Sequence, residues 1–200
     1  MADIEFEVRG GGARVLLNRA DALNALTLEM AASLDDKLRE WESDASVHCV
    51  LARGRGSRAF CAGGDIRRLY DERDGDYPRR FYRTEYRLNA RLHRFPKPYI
   101  AFMDGIAMGG GVGVSVNGSH RVATENTMFA MPETGIGLFP DVGGSYFLSR
   151  CPGALGMYLG LTGARLGAAD AIYCGIAQYF VPASDWDRLS DAASIDQVAR

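Results

Sequence analysis

The sequence predicts an α/β domain in which short strands alternate with helices along the chain. Ile4, Phe6 and Val8 alternate with glutamates, a spacing typical of a half-buried strand. From Thr27 onward the apolar residues recur at helical spacing, and Thr27 itself suits the N-cap position. Strands interleaved with helices favour a layered α/β fold. Because 200 residues suffice for one such core, we predict a single domain over residues 1–200.

The remaining elements follow from the same two periodicities, taken in chain order. Further strands are predicted at 14–17, 47–52, 99–103, 121–124, 128–131 and 178–181. Helices are predicted after residue 65, over 78–95, after residue 111, through most of 146–177, and from 185 to the end of the chain. A loop with many glycines and prolines occupies 133–144.

The composition excludes several classes of function. A formal net charge of -2 gives no electrostatic reason to expect nucleic acid or an anionic membrane as a partner. No apolar run approaches the roughly 20 residues that a membrane span needs. The start of the chain lacks a basic region followed by an apolar one, and the four cysteines have no CxxC spacing. We therefore expect reduced thiols in a cytoplasmic protein.

One predicted helix carries an acidic residue on its apolar face. The apolar stripe of helix 78–95 runs from Phe81 to Phe95, and one position within it is Glu85. Burying a lone ionised carboxylate is costly, so this residue needs a partner, a raised pKa or a solvated cavity. Two interpretations stay open: a functional carboxylate in a cavity, or a residue at the stripe's edge that pairs with an arginine. The candidate arginines are Arg83, Arg87 and Arg91.

Two glycine clusters lie where a strand is expected to turn into a helix. One consists of Gly109, Gly110 and Gly111, and the other is the stretch 62–65 (AGGD). The first N–H groups of a helix have no intrahelical partner, and glycine lets a ligand approach them closely. Such a turn can donate to a phosphate or to an oxyanion. Either cluster alone could be a tight corner, but two of them favour a binding site.

Glu133 and Asp141 lie at either side of the glycine- and proline-rich loop. Two carboxylates near one site could share general acid and base chemistry, with their surroundings separating the two pKa values. The alternative is that both are ordinary loop acids, with Asp141 capping a helix that begins near Val142. The residues alone favour this second interpretation.

Other chemistries have little support in the sequence. No GxxxxGK[ST] run, GxGxxG spacing, HExxH or GxSxG motif is present, and the three histidines have no metal-type spacing with the cysteines. We therefore predict no metal. Cys61 lies beside the second glycine cluster, but no histidine is near it in sequence, so it is expected to be a small packing residue.

Together these motifs resemble the crotonase (enoyl-CoA hydratase/isomerase) superfamily. The resemblance is carried by residues 60–65 (FCAGGD), 108–111 (MGGG) and 131–134 (MPET), and it extends over about 18–181. Residues 84–89 (TEYRLN) and 135–144 (GIGLFPDVGG) more narrowly resemble the 3-hydroxyisobutyryl-CoA hydrolase branch. The likeness implies a spiral of β-β-α units. Since members of that branch usually continue well beyond this point, the C-terminal helical region looks shortened.

The resemblance also implies roles for the residues already singled out. Backbone N–H groups of Gly64 and Gly110 would bind the thioester oxygen. Glu133 would be the main catalytic carboxylate, assisted by Asp141, while Glu85 and Gly110 would lie at the acyl group and Glu85 could bind a hydroxyl.

The coenzyme A moiety would meet two further stretches according to the same resemblance. Ala22, Leu23 and the following asparagine would hold its arm, and residues 62–65 its adenine end. The implied substrate-binding residues in the second stretch are Ala62, Gly63, Gly64 and Asp65.

The implied activity is hydrolysis of a short hydroxyacyl-CoA thioester, with 3-hydroxyisobutyryl-CoA giving 3-hydroxyisobutyrate and CoA in valine degradation. Coenzyme A would be part of the substrate, so no separate cofactor is expected, and a homo-oligomer is compatible with the family. The resemblance to the hydratases calls for a second carboxylate where this chain has Gly113, which disfavours hydration. The alternatives are an isomerase or hydratase on the same scaffold, and a truncated, non-catalytic acyl-CoA-binding protein.

Overall fold

The structure is a computed structural model that describes residues 2–190. Its strands are β1 (Ile4–Arg9), β2 (Gly12–Leu17), β3 (Cys49–Gly54), β4 (Ala59–Cys61), β5 (Tyr99–Met103), β6 (Ile106–Met108), β7 (His120–Ala123), β8 (Met128–Ala130) and β9 (Tyr179–Phe180). Its helices are α1 (Leu28–Ser43), α2 (Ile66–Asp71), α3 (Tyr77–Arg94), α4 (Gly110–Val116), α5 (Gly144–Phe147), α6 (Leu155–Thr162), α7 (Ala168–Tyr173) and α8 (Trp186–Ser190). Single turns of 3₁₀ helix lie at Ala20–Ala22, Glu133–Ile136, Leu148–Arg150 and Ala183–Asp185. None of the described helices is long and apolar enough to cross a membrane.

The strands form two sheets, and each β-β-α unit contributes to both. The larger sheet has the order β1-β2-β3-β5-β7-β9, in which only the β1–β2 hairpin is antiparallel. The smaller sheet has the parallel order β4-β6-β8. The pairs β3–β4, β5–β6 and β7–β8 each place their first strand in the large sheet and their second in the small one. This repetition confirms the predicted α/β spiral of β-β-α units.

Most predicted elements are present, with small shifts at their ends. The Thr27 side chain accepts a hydrogen bond from the Met30 N–H at 3.2 Å, which confirms it as the N-cap of α1. The strands β4 and β6 were not predicted. Each has only three residues, too few to show a periodicity. Of the helix predicted from residue 185 to the chain end, 186–190 form α8 and the rest lies outside the described residues.

A buried charge cluster joins α1 to α3 behind the site. The Asp35 side chain is 0% exposed and accepts from Arg91 Nε at 2.6 Å and from Arg39 Nη2 at 3.3 Å. Arg87 Nε lies 3.2 Å from the same carboxylate. Two of the three arginines suggested as partners for a surface Glu85, Arg87 and Arg91, therefore contact Asp35 instead. Because Asp35 of α1 contacts two arginines of α3, this cluster fixes how α3 packs against α1.

Replacing the shared carboxylate should weaken the whole fold. We expect Asp35→Asn to lower the free energy of unfolding by about 1–2 kcal/mol, since it removes the counter-charge of Arg91, whose side chain is 22% exposed, while Arg39 and Arg87 remain largely hydrated. The exposed neighbour offers a matched control: Asp36→Asn loses only a 3.8 Å contact with Arg39 and should change stability little. Urea unfolding of both variants gives the comparison. Equal stabilities for the two would contradict this role of Asp35.

Candidate functional site

Most of the residues that the sequence singled out line one cavity of about 320 Å³. It opens where β4, β6 and β8 end, because successive strands of a parallel sheet place their following turns at one edge. The turn after β4, the start of α4, the inner face of α3 and the loop after β8 all contribute to its wall. The predicted residues that line it are Ala62, Gly63, Gly64, Glu85, Gly110, Glu133 and Asp141.

The two glycine turns meet at this cavity. A Cβ built on Gly110 would lie 3.1 Å from the Gly64 nitrogen, so the two backbones are in near contact. Gly110 is the first residue of α4, and its N–H has no partner within that helix. The Gly64 N–H donates to no acceptor in the described chain. Two unpaired N–H donors therefore lie side by side in the cavity wall.

Each of the three glycines at the start of α4 has a close neighbour that a side chain would meet. Gly109 has φ +49°, a conformation that favours glycine, and a Cβ there would lie 3.2 Å from Glu133 Oε1. A Cβ on Gly110 would overlap Glu85 Oε1, and one on Gly111 would overlap the Cys61 carbonyl. Both carboxylates thus contact the start of α4.

Glu85 is a buried carboxylate facing this cavity. The residue is 2% exposed, and its Oε1 has no hydrogen-bond partner among residues 2–190. Burial, together with the negative charges of Asp141 and Glu133, raises its pKa to about 8. The interpretation of Glu85 as a solvated surface residue is therefore wrong: the side chain lies in a cavity, and its functional role stays a prediction.

Glu133 begins the 3₁₀ turn after β8 and points into the same cavity. It is 6% exposed, and its Oε2 has no hydrogen-bond partner in the described chain. Burial raises its pKa to about 7, with a smaller contribution from the charge of Asp141. At neutral pH this carboxyl group is therefore both substantially ionised and strongly basic. That combination suits a nucleophile or a general base.

Asp141 is tied to α3 and does not cap a helix with its side chain. The Tyr86 hydroxyl donates to its Oδ2 at 2.6 Å, whereas α5 begins later, at Gly144, with Gly143 as its N-cap. The predicted capping role is therefore wrong. The next residue, Val142, has φ +43°, which is strained for a β-branched side chain, and its carbonyl accepts from Asn117 Nδ2 at 3.1 Å.

Sequence reasoning missed Tyr86, although it follows Glu85 directly. Burial raises the pKa of its hydroxyl, and the hydrogen bond to Asp141 raises it further, so it stays a donor. Tyr86 lies outside the apolar stripe, so the helical periodicity did not single it out. Its partner, Asp141, lies 55 residues away in the chain, so no local motif did so either.

A second residue that sequence reasoning missed is Asn89, one helical turn beyond Glu85. It is 6% exposed and lines a second cavity, of about 650 Å³, whose wall includes Asp141. Asp141 thus borders both cavities. The spacing of four residues from Glu85 along α3 is the signal that could have found it.

The stretch predicted to hold coenzyme A does not line the first cavity. Leu23 is joined to a residue that lines it, since the Ala62 N–H donates to the Leu23 carbonyl at 3.0 Å. The side chain of Asn24 is buried and donates to the Ala59 carbonyl at 2.7 Å, a structural role. Asp65 caps α2 by accepting from the Arg68 N–H. A role for these residues in coenzyme A binding stays a prediction.

The Cys61 thiol is not available as a nucleophile beside this cavity. The Cys61 thiol is fully buried, and burial raises its pKa to about 12, so it remains protonated. Within residues 2–190 no group of three or more histidine, cysteine or acidic side chains is arranged to hold a metal ion.

The raised carboxyl pKa values predict how stability depends on pH. Between about pH 5 and pH 8 the folded protein keeps protons on Glu85 and Glu133 that the unfolded chain has released. The free energy of unfolding should therefore fall as the pH rises, by at most about 1.4 kcal/mol per pH unit for each group. Glu85→Gln should remove its share of this slope, most clearly near pH 7–8.

Urea unfolding at pH 5, 6, 7 and 8 measures the slope. Glu40→Gln, on the exposed side of α1, serves as the control and should keep the wild-type slope. A Glu85→Gln variant with an undiminished slope would show that this carboxyl group does not titrate as described.

Comparisons with known proteins identify the family of this chain. The enoyl-CoA hydratase/isomerase family model matches residues 13–199. The mitochondrial 3-hydroxyisobutyryl-CoA hydrolase of Xenopus tropicalis is 55% identical over 84% of this chain and 44% of that protein. The Danio rerio protein of that name is 50% identical over 90% of this chain and 48% of its own length. This chain spans about half the length of these curated relatives.

Among solved structures, one described as an enoyl-CoA hydratase from Rhodobacter sphaeroides 2.4.1 has a TM-score of 0.95 and 44% identity. It is matched over 100% of this chain and 60% of that one. The family match over most of the sequence and the shared fold lead to one conclusion: the chain belongs to the enoyl-CoA hydratase/isomerase family.

Proposed function

We propose that this site hydrolyses the thioester of a short hydroxyacyl-CoA, with 3-hydroxyisobutyryl-CoA as the substrate. One observation carries the proposal: the paired N–H groups of Gly64 and Gly110 adjoin two buried carboxylates, Glu85 and Glu133, in one cavity. The names of the relatives at 50–55% identity support the same substrate. The products are 3-hydroxyisobutyrate and coenzyme A.

The first step begins when the two N–H groups donate hydrogen bonds to the thioester carbonyl oxygen. They form an oxyanion hole, which stabilises the negative charge that develops on this oxygen during attack. Glu133 is the attacking group, because its ionised carboxylate lies against the start of α4 and is poorly hydrated. Its oxygen bonds to the thioester carbon, the C–S bond breaks, and coenzyme A leaves as a thiolate that takes a proton from solvent.

The second step removes the acyl group from the transient anhydride. Water adds to the anhydride, the bond to Glu133 breaks, and the free acid leaves while the Glu133 carboxylate is regenerated. Asp141 is positioned to accept the proton of this water, since the Tyr86 hydrogen bond fixes one of its oxygens. In the alternative form of the mechanism, Glu133 activates water directly and no anhydride forms.

Glu85 provides selectivity for a hydroxyl on the acyl group. An unpartnered buried carboxyl group is costly unless the substrate supplies its partner, and a purely apolar pocket cannot select a hydroxyl. With its raised pKa, Glu85 is largely protonated at pH 7 and can donate as well as accept. A substrate without the hydroxyl would leave this group unsatisfied.

The rival reaction is hydration or isomerisation of an enoyl thioester, as the name of the Rhodobacter sphaeroides structure suggests for that protein. A second carboxylate at position 113 has no room here. A Cβ on Gly113 would lie 2.8 Å from Asn89 Oδ1 and 3.0 Å from Val142 Cβ. This crowding supports the hydrolase, and thiol release from 3-hydroxyisobutyryl-CoA but not from an enoyl-CoA distinguishes the two.

A third candidate is an acyl-CoA-binding protein without turnover, which the half-length match to the relatives keeps open. Binding of acyl-CoA without thiol release would favour it. The proposed reaction uses no metal or separate cofactor, and its product suits valine degradation. Since the relatives' names include "mitochondrial", a cytoplasmic location remains only a prediction from the sequence. A homo-oligomer likewise stays a prediction.

Removing the charge of the proposed nucleophile tests the mechanism directly. We expect Glu133→Gln to lower kcat by at least about 10²-fold with a modest change in KM, because the lost interaction acts in the transition state. Thiol release measures both constants. The exposed substitution Glu125→Gln is the control. Turnover near the wild-type value in Glu133→Gln would defeat the assignment.

Blocking the oxyanion hole provides a separate test. We expect Gly110→Ala to reduce kcat/KM by about 10²-fold or more, since the added methyl group displaces Glu85 and crowds the Gly64 N–H. Gly167→Ala is the matched control, because a Cβ there meets nothing within 4 Å. Kinetics on both variants, with melting temperatures to check folding, give the result. Equal activities would argue against an oxyanion hole at this position.

A further inference from the structure

Asn89 is a buried amide whose polar atoms have no protein partner. It is 6% exposed, and within the described chain neither its Oδ1 nor its Nδ2 makes a hydrogen bond. Leaving such atoms unsatisfied destabilises a fold, and buried polar groups are otherwise nearly always paired.

The surroundings of Asn89 fix where this amide lies. A Cβ on Gly113 would be 2.8 Å from Asn89 Oδ1 and 2.9 Å from its Nδ2, so the amide lies against the α4 backbone. A glycine at position 113 is thus what makes room for it. The same face of α3 carries Glu85 one turn earlier, above Gly110. The amide therefore continues the row of polar groups that begins at the oxyanion hole.

A second asparagine in the same cavity shows the contrast. Asn117 also lines the cavity of about 650 Å³, but its Nδ2 donates to the carbonyl oxygens of Gly113 and Val142. Its role is explained by the fold, since it holds the strained segment beside Asp141. Nothing comparable explains Asn89.

We propose that Asn89 binds a hydroxyl oxygen at the acyl end of the site, as a specificity-determining residue. The inference rests on the proposed function and deepens it. An amide and a hydroxyl are complementary, because each can both donate and accept, so one hydroxyl oxygen can satisfy Nδ2 and Oδ1 together. Two sources share this chemistry: the hydroxyl of the acyl group, and the water that attacks the acyl-enzyme beside Asp141.

The test compares two thioesters that differ only in the hydroxyl, 3-hydroxyisobutyryl-CoA and isobutyryl-CoA. The variant is Asn89→Leu, which has a similar size and leaves no buried polar atom, so it should fold at least as well as the wild type. If Asn89 binds the substrate hydroxyl, kcat/KM for 3-hydroxyisobutyryl-CoA should fall by about tenfold, while kcat/KM for isobutyryl-CoA should change little. The ratio of the first value to the second should therefore fall by about tenfold.

If the bound oxygen is instead the attacking water, the second step alone should slow. Both thioesters would then give a rapid burst of about one equivalent of thiol, followed by turnover reduced by about tenfold or more. A purely structural residue would produce neither a changed ratio nor a burst.

Two further variants separate binding from folding. Gly113→Ala places a methyl group against the Asn89 amide, a side chain that can move, and should reproduce the effect of Asn89→Leu in weaker form. Asn117→Ala removes the neighbouring structural amide and should lower the melting temperature while leaving unchanged the ratio of kcat/KM for 3-hydroxyisobutyryl-CoA to that for isobutyryl-CoA.

The outcomes of these measurements are decisive. An unchanged ratio without a burst in Asn89→Leu, while the wild type hydrolyses 3-hydroxyisobutyryl-CoA, overturns the role of Asn89 and leaves the proposed function standing. A wild-type chain that neither hydrolyses nor binds either thioester, as measured by calorimetry, overturns the proposed function and this inference with it.

Discussion

The site depends on the absence of side chains at the start of α4. Without Cβ atoms at residues 109–111, the turn after β4, the carboxyl groups of Glu85 and Glu133, and the α4 backbone can occupy the same small volume. A single methyl group at any of these positions would meet a carboxylate oxygen or a carbonyl. This packing also brings the Gly64 and Gly110 N–H groups side by side. The close approach of these backbone segments therefore places the two carboxyl groups in a buried volume, and this burial raises their pKa values.

Two acidic residues of this core illustrate opposite solutions to burial. Asp35 is surrounded by arginines and stabilises the α1–α3 contact, whereas Glu85 on the same helix pair forms no ion pair within residues 2–190, and its Oε1 has no hydrogen-bond partner there. Burial and two nearby carboxylates consequently raise the pKa of Glu85. Stability that could have been gained by an apolar residue at position 85 is given up. Such local conflicts between packing and polarity are expected where a protein binds a ligand.

The sequence predicted those parts of the site that carry a strong local signal. The break in the apolar stripe singled out Glu85, and the glycine clusters singled out the two turns, because each conflicts with the pattern around it. The individual N–H donors, Gly64 and Gly110, were implied only by the family resemblance. The three-residue strands β4 and β6 have no such signal, although they place the glycine turns. Tyr86 and Asn89 were missed because their contacts with Asp141 and Gly113 form only in the folded chain. The capping role suggested for Asp141 was a local interpretation that a long-range hydrogen bond overrides.

Asp141 lines both cavities, and its contacts fix its position between them. Its fixed partner is the Tyr86 hydroxyl, while the following residue, Val142, adopts a strained backbone conformation that Asn117 helps to hold. A strained segment persists only where its surroundings determine it, so the cost of this conformation is met by the α4 contacts. The same charge raises the pKa of both Glu85 and Glu133, because it lies near each of them. Burial is the larger cause of both shifts, and the Asp141 charge adds to each, so that the pKa of Glu85 reaches about 8 and that of Glu133 about 7.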